Sequence, residues 1–71
     1  MRRNMRAERA RLGLTQKQVA EELGVSTVAV SGWEQDKATP NVENLISLCK
    51  LYGCSVEYLL DMTDVRNVAA I

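Results

Sequence analysis

Three times in this 71-residue chain a glycine is followed two positions later by a hydroxyl residue: Gly13-Leu14-Thr15, Gly24-Val25-Ser26 and Gly53-Cys54-Ser55. A glycine just past the last turn ends a helix, because it takes the left-handed backbone without a β-carbon clash. Ser or Thr starts the next helix, because the side-chain oxygen accepts from a free N–H of the first turn. A chain punctuated this way folds as short helices joined at tight corners. With no strand alternation, internal repeat or low-complexity tract, it reads as an all-α domain.

The apolar spacing supplies the helices. The first is expected over residues 2–12, with Met5, Ala10 and Leu12 as a partly apolar stripe on a cationic cylinder. The second follows Thr15, whose partner Gln18 completes a capping box, with Leu14 as a hydrophobic staple against Val19. Val19, Ala20 and Leu23 mark its buried face. The third runs from Thr27 to about Gln35, with Val30 and Trp33 inward and Thr27, Val28, Ser31 and Gly32 on the opposite side. A loop, Asp36 to Pro40, leads to Asn41, the cap of a fourth helix over residues 42–52. Its stripe is Val42, Leu45, Leu48, Cys49 and Tyr52. Ser55 caps a short fifth helix over residues 56–60. We expect a five-helix domain over residues 1–62 and a short tail over 63–71.

Composition narrows the function. A chain this short is one domain at most and buries only about 60 % of its unfolded surface. It contains no His, so the commonest general acid–base group and the commonest metal ligand are missing. Cys49 and Cys54 cannot by themselves fill a tetrahedral zinc site, and they read as core hydrophobes. We therefore expect no enzyme, no metal, no cofactor and no small-molecule ligand. No apolar run approaches the ~20 residues that cross a bilayer, and no apolar stretch follows the basic start. The expected location is cytoplasmic and reducing, away from membranes.

Net charge is zero, but it is unevenly spread. Residues 1–17 hold six cations (Arg2, Arg3, Arg6, Arg9, Arg11, Lys17) against Glu8 alone, and residues 18–71 hold three cations against eight anions. A basic end suits an anionic partner, although a solvated helix face would read the same way.

The second and third helices, joined through Gly24-Val25-Ser26, make a helix-turn-helix unit. Ala20 is small where the two helices approach, and Val30 buries the second on the first. The run Arg9-Ala-Arg-Leu-Gly-Leu-Thr-Gln-Lys-Gln-Val-Ala-Glu-Glu-Leu-Gly-Val-Ser resembles the opening of the phage-repressor-like Xre/Cro family, the lambda-repressor-like DNA-binding domains. Val30-Ser-Gly-Trp-Glu-Gln-Asp-Lys, Pro40-Asn-Val-Glu-Asn-Leu and Tyr52-Gly-Cys-Ser-Val-Glu-Tyr-Leu-Leu are similar to its later blocks, so the likeness spans roughly residues 3–61.

The resemblance implies sequence-specific binding of double-stranded DNA by a repressor-like transcriptional regulator. It implies a homodimer with the third helix in the major groove. It places Thr27, Val28 and Gly32 at base edges, with Ser31 beside them. Gln16, Lys17, Lys37 and Asn41 fall at phosphate-contacting positions, and Arg9 and Glu34 at a partly buried ion pair. Each has a plainer reading: an exposed first-turn glutamine, surface lysines, an N-cap, a structural pair. Arg2, Arg3 and Arg6 either touch flanking phosphate or are solvated. None of the base-facing residues is bidentate, so readout should lean on thymine methyls, DNA shape and phosphate contacts. The alternative is a protein-interaction module that kept this fold and lost affinity for DNA. Leu51, Val56, Leu59, Val65, Val68 and Ile71 are the expected dimer contacts.

Overall fold

The structure, a computed structural model, describes residues 2–66. Five helices follow in order: α1 (Arg3–Arg11), α2 (Gln16–Leu23), α3 (Thr27–Glu34), α4 (Val42–Tyr52) and α5 (Val56–Leu59). Each lies within about two residues of the range expected from the sequence. Four begin at the anticipated caps. Thr15, Ser26, Asn41 and Ser55 accept from the backbone N–H of Gln18, Ala29, Asn44 and Tyr58 at 3.1, 3.1, 2.8 and 3.2 Å. Gln18 Oε1 accepts in return from the Thr15 N–H at 2.8 Å, closing the capping box.

The turn between α2 and α3 forms as its residues require. Gly24 sits at φ +70°, and its N–H donates to Glu21 O while the Val25 N–H donates to Ala20 O. These bonds satisfy the last carbonyls of α2 and turn the chain sharply enough for α3 to pack across α2.

Met5, Val19, Ala20, Val30, Trp33, Leu48, Tyr52, Cys54 and Leu59 form one buried core. Trp33 is part of it, as its spacing from Val30 suggested. Leu14, Leu23, Val25, Leu45 and Cys49 pack around the edge. Burying each large side chain contributes roughly 1.5–3 kcal/mol, which sets α3 firmly on the body of the domain.

Four expectations need correction. Leu12 is 39 % exposed and Ala10 is also exposed, so α1 docks through Met5 and the charged Glu8 instead. Val42, in the first turn of α4, is 71 % exposed, outside the stripe continued by Leu48 and Tyr52. Leu59 has no exposed surface and cannot contact a second copy. Arg2 is neither solvated nor open to a phosphate: it is 8 % exposed and bonded within the domain. Val68 and Ile71 lie outside the described residues.

Long-range polar contacts hold α1. Its cap residue, Arg2, offers no side-chain oxygen; the Asp61 carboxylate, just beyond α5, accepts from the N–H groups of Arg3 and Asn4 at 2.8 and 3.0 Å. Glu8, 3 % exposed, takes the Arg66 guanidinium at 2.7–3.0 Å and Arg11 Nε at 3.0 Å. Hydrogen bonds from Arg66 hold its carboxyl below the usual value despite burial, which acts the other way, with Arg11 adding to the effect. The Arg66 carbonyl accepts from the Ser55 N–H at 3.1 Å, so the described part of the tail folds back onto the domain. Among the described residues no helix is long and apolar enough to cross a membrane.

Candidate nucleic-acid interface

The outer face of α3 is built by what its inner face buries. Val30 and Trp33 point into the core, so the residues on the opposite side of a 3.6-residue turn are held outward. Thr27 is exposed, and Val28 is 82 % exposed at the first turn. Ser31 is half-buried, and its hydroxyl accepts from Gln35 Nε2 at 3.1 Å. Gly32 is half-buried too. A β-carbon added there would lie 3.8 Å from the Ala38 β-carbon, so its side-chain direction faces the following loop. Thr27 and Val28 thus carry the outward surface, with Ser31 and Gly32 at its shoulder.

The loop after α3 is tied to this shoulder. The N–H groups of Lys37 and Ala38 both donate to Gly32 O, at 2.9 and 3.3 Å. Asp36 takes the left-handed backbone at φ +60°. Lys37 is exposed, and Asn41, immediately before α4, is exposed as well as capping.

Lys17 is exposed in the first turn of α2, next to Gln16. Gln16 is half-buried, and its Nε2 donates to Glu34 Oε1 at 3.2 Å. One N–H of its side-chain amide is therefore engaged within the domain, while the first turn of a helix offers backbone N–H groups to an anion.

Behind Gln16 stands the ion pair. Arg9 Nε and Nη2 meet the two Glu34 oxygens at 2.7 and 3.1 Å, and Nη1 donates to Leu14 O at 3.0 Å. Glu34 is 3 % exposed. Its hydrogen bonds hold the Arg9 guanidinium above its ordinary value, against the opposing pull of burial. The pair joins α1 to the end of α3, as a bidentate fork does best. Arg6, Arg9, Gln16, Glu34 and Gln35 line a shallow cleft of about 290 Å³ beside the start of α2.

Sequence reasoning missed the long-range contacts. Arg2, Asp61 and the Glu8–Arg66 pair are read only from the fold, because their partners lie 31 to 58 residues away. Among the described residues, no three His, Cys, Asp or Glu side chains are grouped to hold a metal ion.

The helix-turn-helix family pattern matches residues 5–59. Repressor protein C2 of Salmonella phage P22 is 45 % identical over 56 residues, 79 % of this chain and 26 % of that protein. The transcriptional activator BcrR of Enterococcus faecalis is 37 % identical over 68 residues, 93 % of this chain and 33 % of its own. The regulator ImmR of Bacillus subtilis is 33 % identical over 65 residues, covering 92 % and 51 %. The chain thus spans about a quarter to a half of the length of these relatives. The solved P22 c2 repressor in complex with a synthetic operator superposes with a TM-score of 0.76 at 42 % identity, covering 83 % of this chain and 89 % of that one. The solution structure of the P22 c2 repressor DNA-binding domain gives 0.73 at 43 % identity, covering 82 % and 76 %. With the α2–α3 turn, its caps and its core in place and the pattern matched from Met5 to Leu59, the chain belongs to the helix-turn-helix family.

Proposed function

We propose that this chain binds double-stranded DNA as a repressor-like transcriptional regulator, a homodimer that sets α3 of each copy into the major groove. In this reading residues 1–62 are the DNA-binding unit and 63–71 a short tail. The observation that carries it is the α3 surface. An 82 % exposed valine beside an exposed threonine stands on a helix locked from behind by Val30 and Trp33. Folding gains nothing from leaving Val28 in water, whereas a groove-reading helix needs its outer turn free.

The flanks fit. Lys17 and Lys37, exposed at the start of α2 and in the loop after α3, would meet phosphates flanking the groove. The α2 N-terminus offers N–H groups and the positive end of its dipole. Gln16 would meet phosphate chiefly through its backbone, since its side chain is turned to Glu34. Asn41 would contribute beside its capping bond. Arg9 and Glu34 serve by fixing α1 and α3 together. Thr27 and Val28 would face bases, with Ser31 and Gly32 allowing close approach. The P22 repressor complex with operator DNA supports the reading through 42 % identity over the shared fold.

The test is a titration of random-sequence duplex at low salt, followed by selection from random duplexes. Binding below about 100 μM that weakens with salt supports the proposal. Absence of binding in that range would favour the protein-interaction module instead.

A further inference from the structure

Arg2 is engaged more fully than a terminal cap residue needs to be. Its backbone N–H donates to Glu34 O at 2.8 Å. Its Nη1 meets Trp33 O at 2.8 Å and Ala38 O at 2.6 Å, and its Nη2 meets Thr39 Oγ1 at 2.8 Å and Asp36 Oδ1 at 2.9 Å. Both terminal nitrogens of the guanidinium are thus fully used, and the side chain is buried.

The acceptors share one property. Trp33 and Glu34 form the end of α3, and Asp36, Ala38 and Thr39 enclose Lys37 on both sides. Lys37 alone of this segment is held only by its backbone bond to Gly32, its side chain exposed. The segment has reason to need an outside hold. Asp36 sits in a left-handed conformation that disfavours a non-glycine residue, and the carbonyls of Trp33 and Ala38 accept from Arg2.

We propose that Arg2 is a positioning residue for the DNA contact: it clamps residues 33–39 in one register and so fixes where Lys37 stands relative to α3. The proposal rests on the DNA-binding reading above. Arg2 does not itself reach phosphate, since its donors are spent inside the domain. Its planar fork is what bridges helix end and loop, and a lysine ammonium cannot span the same four acceptors.

Charge and geometry separate in the test. Affinity for random-sequence duplex at low salt is measured for wild type, Arg2→Lys, Arg2→Ala, Lys37→Ala and the two double variants. Native-state hydrogen exchange is followed at the Lys37 and Ala38 amides. Arg2→Lys keeps the charge but should lose roughly three- to tenfold in affinity, much as Arg2→Ala does. The loss should vanish in the Lys37→Ala background, because both changes remove one contact. Exchange at Lys37 and Ala38 should quicken while Val19 and Leu48 stay protected.

Wild-type affinity in Arg2→Lys, or penalties that simply multiply with Lys37→Ala, would overturn the proposal. If Arg2→Ala does not fold, Thr39→Val removes one acceptor of the same fork. It should give a smaller loss with the same dependence on Lys37, and unchanged loop exchange there would equally overturn the clamp. A wild type that binds no duplex refutes the DNA-binding reading instead, and the exchange rates still decide whether Arg2 holds the loop.

Discussion

Val28 is an apolar side chain that folding leaves almost wholly in water. On a helix seated in the major groove, its methyls meet one apolar base feature, the thymine C5-methyl. We expect a required thymine in each half-site opposite Val28. Replacing that thymine by uracil removes one methyl and should cost up to ~1 kcal/mol per half-site. Val28→Ala should cost a similar amount on the thymine site and little on the uracil site. Affinities for the four combinations decide the matter, and penalties that add would show that Val28 does not read the methyl. This residue was legible in the sequence because period 3.6 fixes the face opposite Val30 and Trp33. Gly32 was legible only as a position on that face. That its missing side chain points at Ala38 depends on how the loop returns, which spacing along α3 does not encode.

At the scale of elements, α2 to α5 were readable because each carries its own start signal within three residues. The weak element was α1, whose start is made elsewhere: Asp61 supplies the carboxylate that Arg2 lacks. Asp61→Ala should therefore destabilise the domain by about 1 kcal/mol, as loss of a local cap would, with the first turn of α1 exchanging its amides faster. Its buried face was misread for a related reason. The expected stripe included Leu12, which is exposed, whereas Glu8 is buried because Arg66 and Arg11 neutralise it. This network gives a pH dependence of known sign. The folded state holds the Glu8 carboxyl below its ordinary value of 4.5, so it binds fewer protons than the unfolded chain. The stability it confers is fully present above that value and is lost as pH falls through the lowered folded value. Glu8→Gln should be less stable than wild type at pH 7, and the gap should narrow in acid. Denaturant melts at pH 7 and about pH 3 check it; a constant gap would remove Glu8 from the acid transition.

The whole molecule sets the limits of affinity. One such domain covers little DNA, so in the proposed homodimer two α3 helices would stand about 34 Å apart on a pseudo-palindrome. With Leu59 buried, the expected dimer contacts that remain among the described residues are half-buried Leu51 and Val56 and the 59 % exposed Val65. The charge available to each copy is also smaller than the basic N-terminal quarter suggests. Arg2, Arg9 and Arg11 are bonded within the domain, and the exposed Lys17, Lys37 and Arg3 would displace counterions. Two to three such cations per copy give a dimer a log–log salt slope of about −4 to −5. Lys37→Ala should flatten it by about two and weaken all sequences alike. Moving the half-sites apart by about five base pairs places them on opposite faces of the duplex, and the affinity should then fall to that of a single half-site. A 1:1 complex on the full site at saturating protein, or a slope of half the stated size on the pseudo-palindrome, would mean that the domain acts alone. The salt slope counts the copies on the DNA whether or not a dimer persists in solution at low concentration.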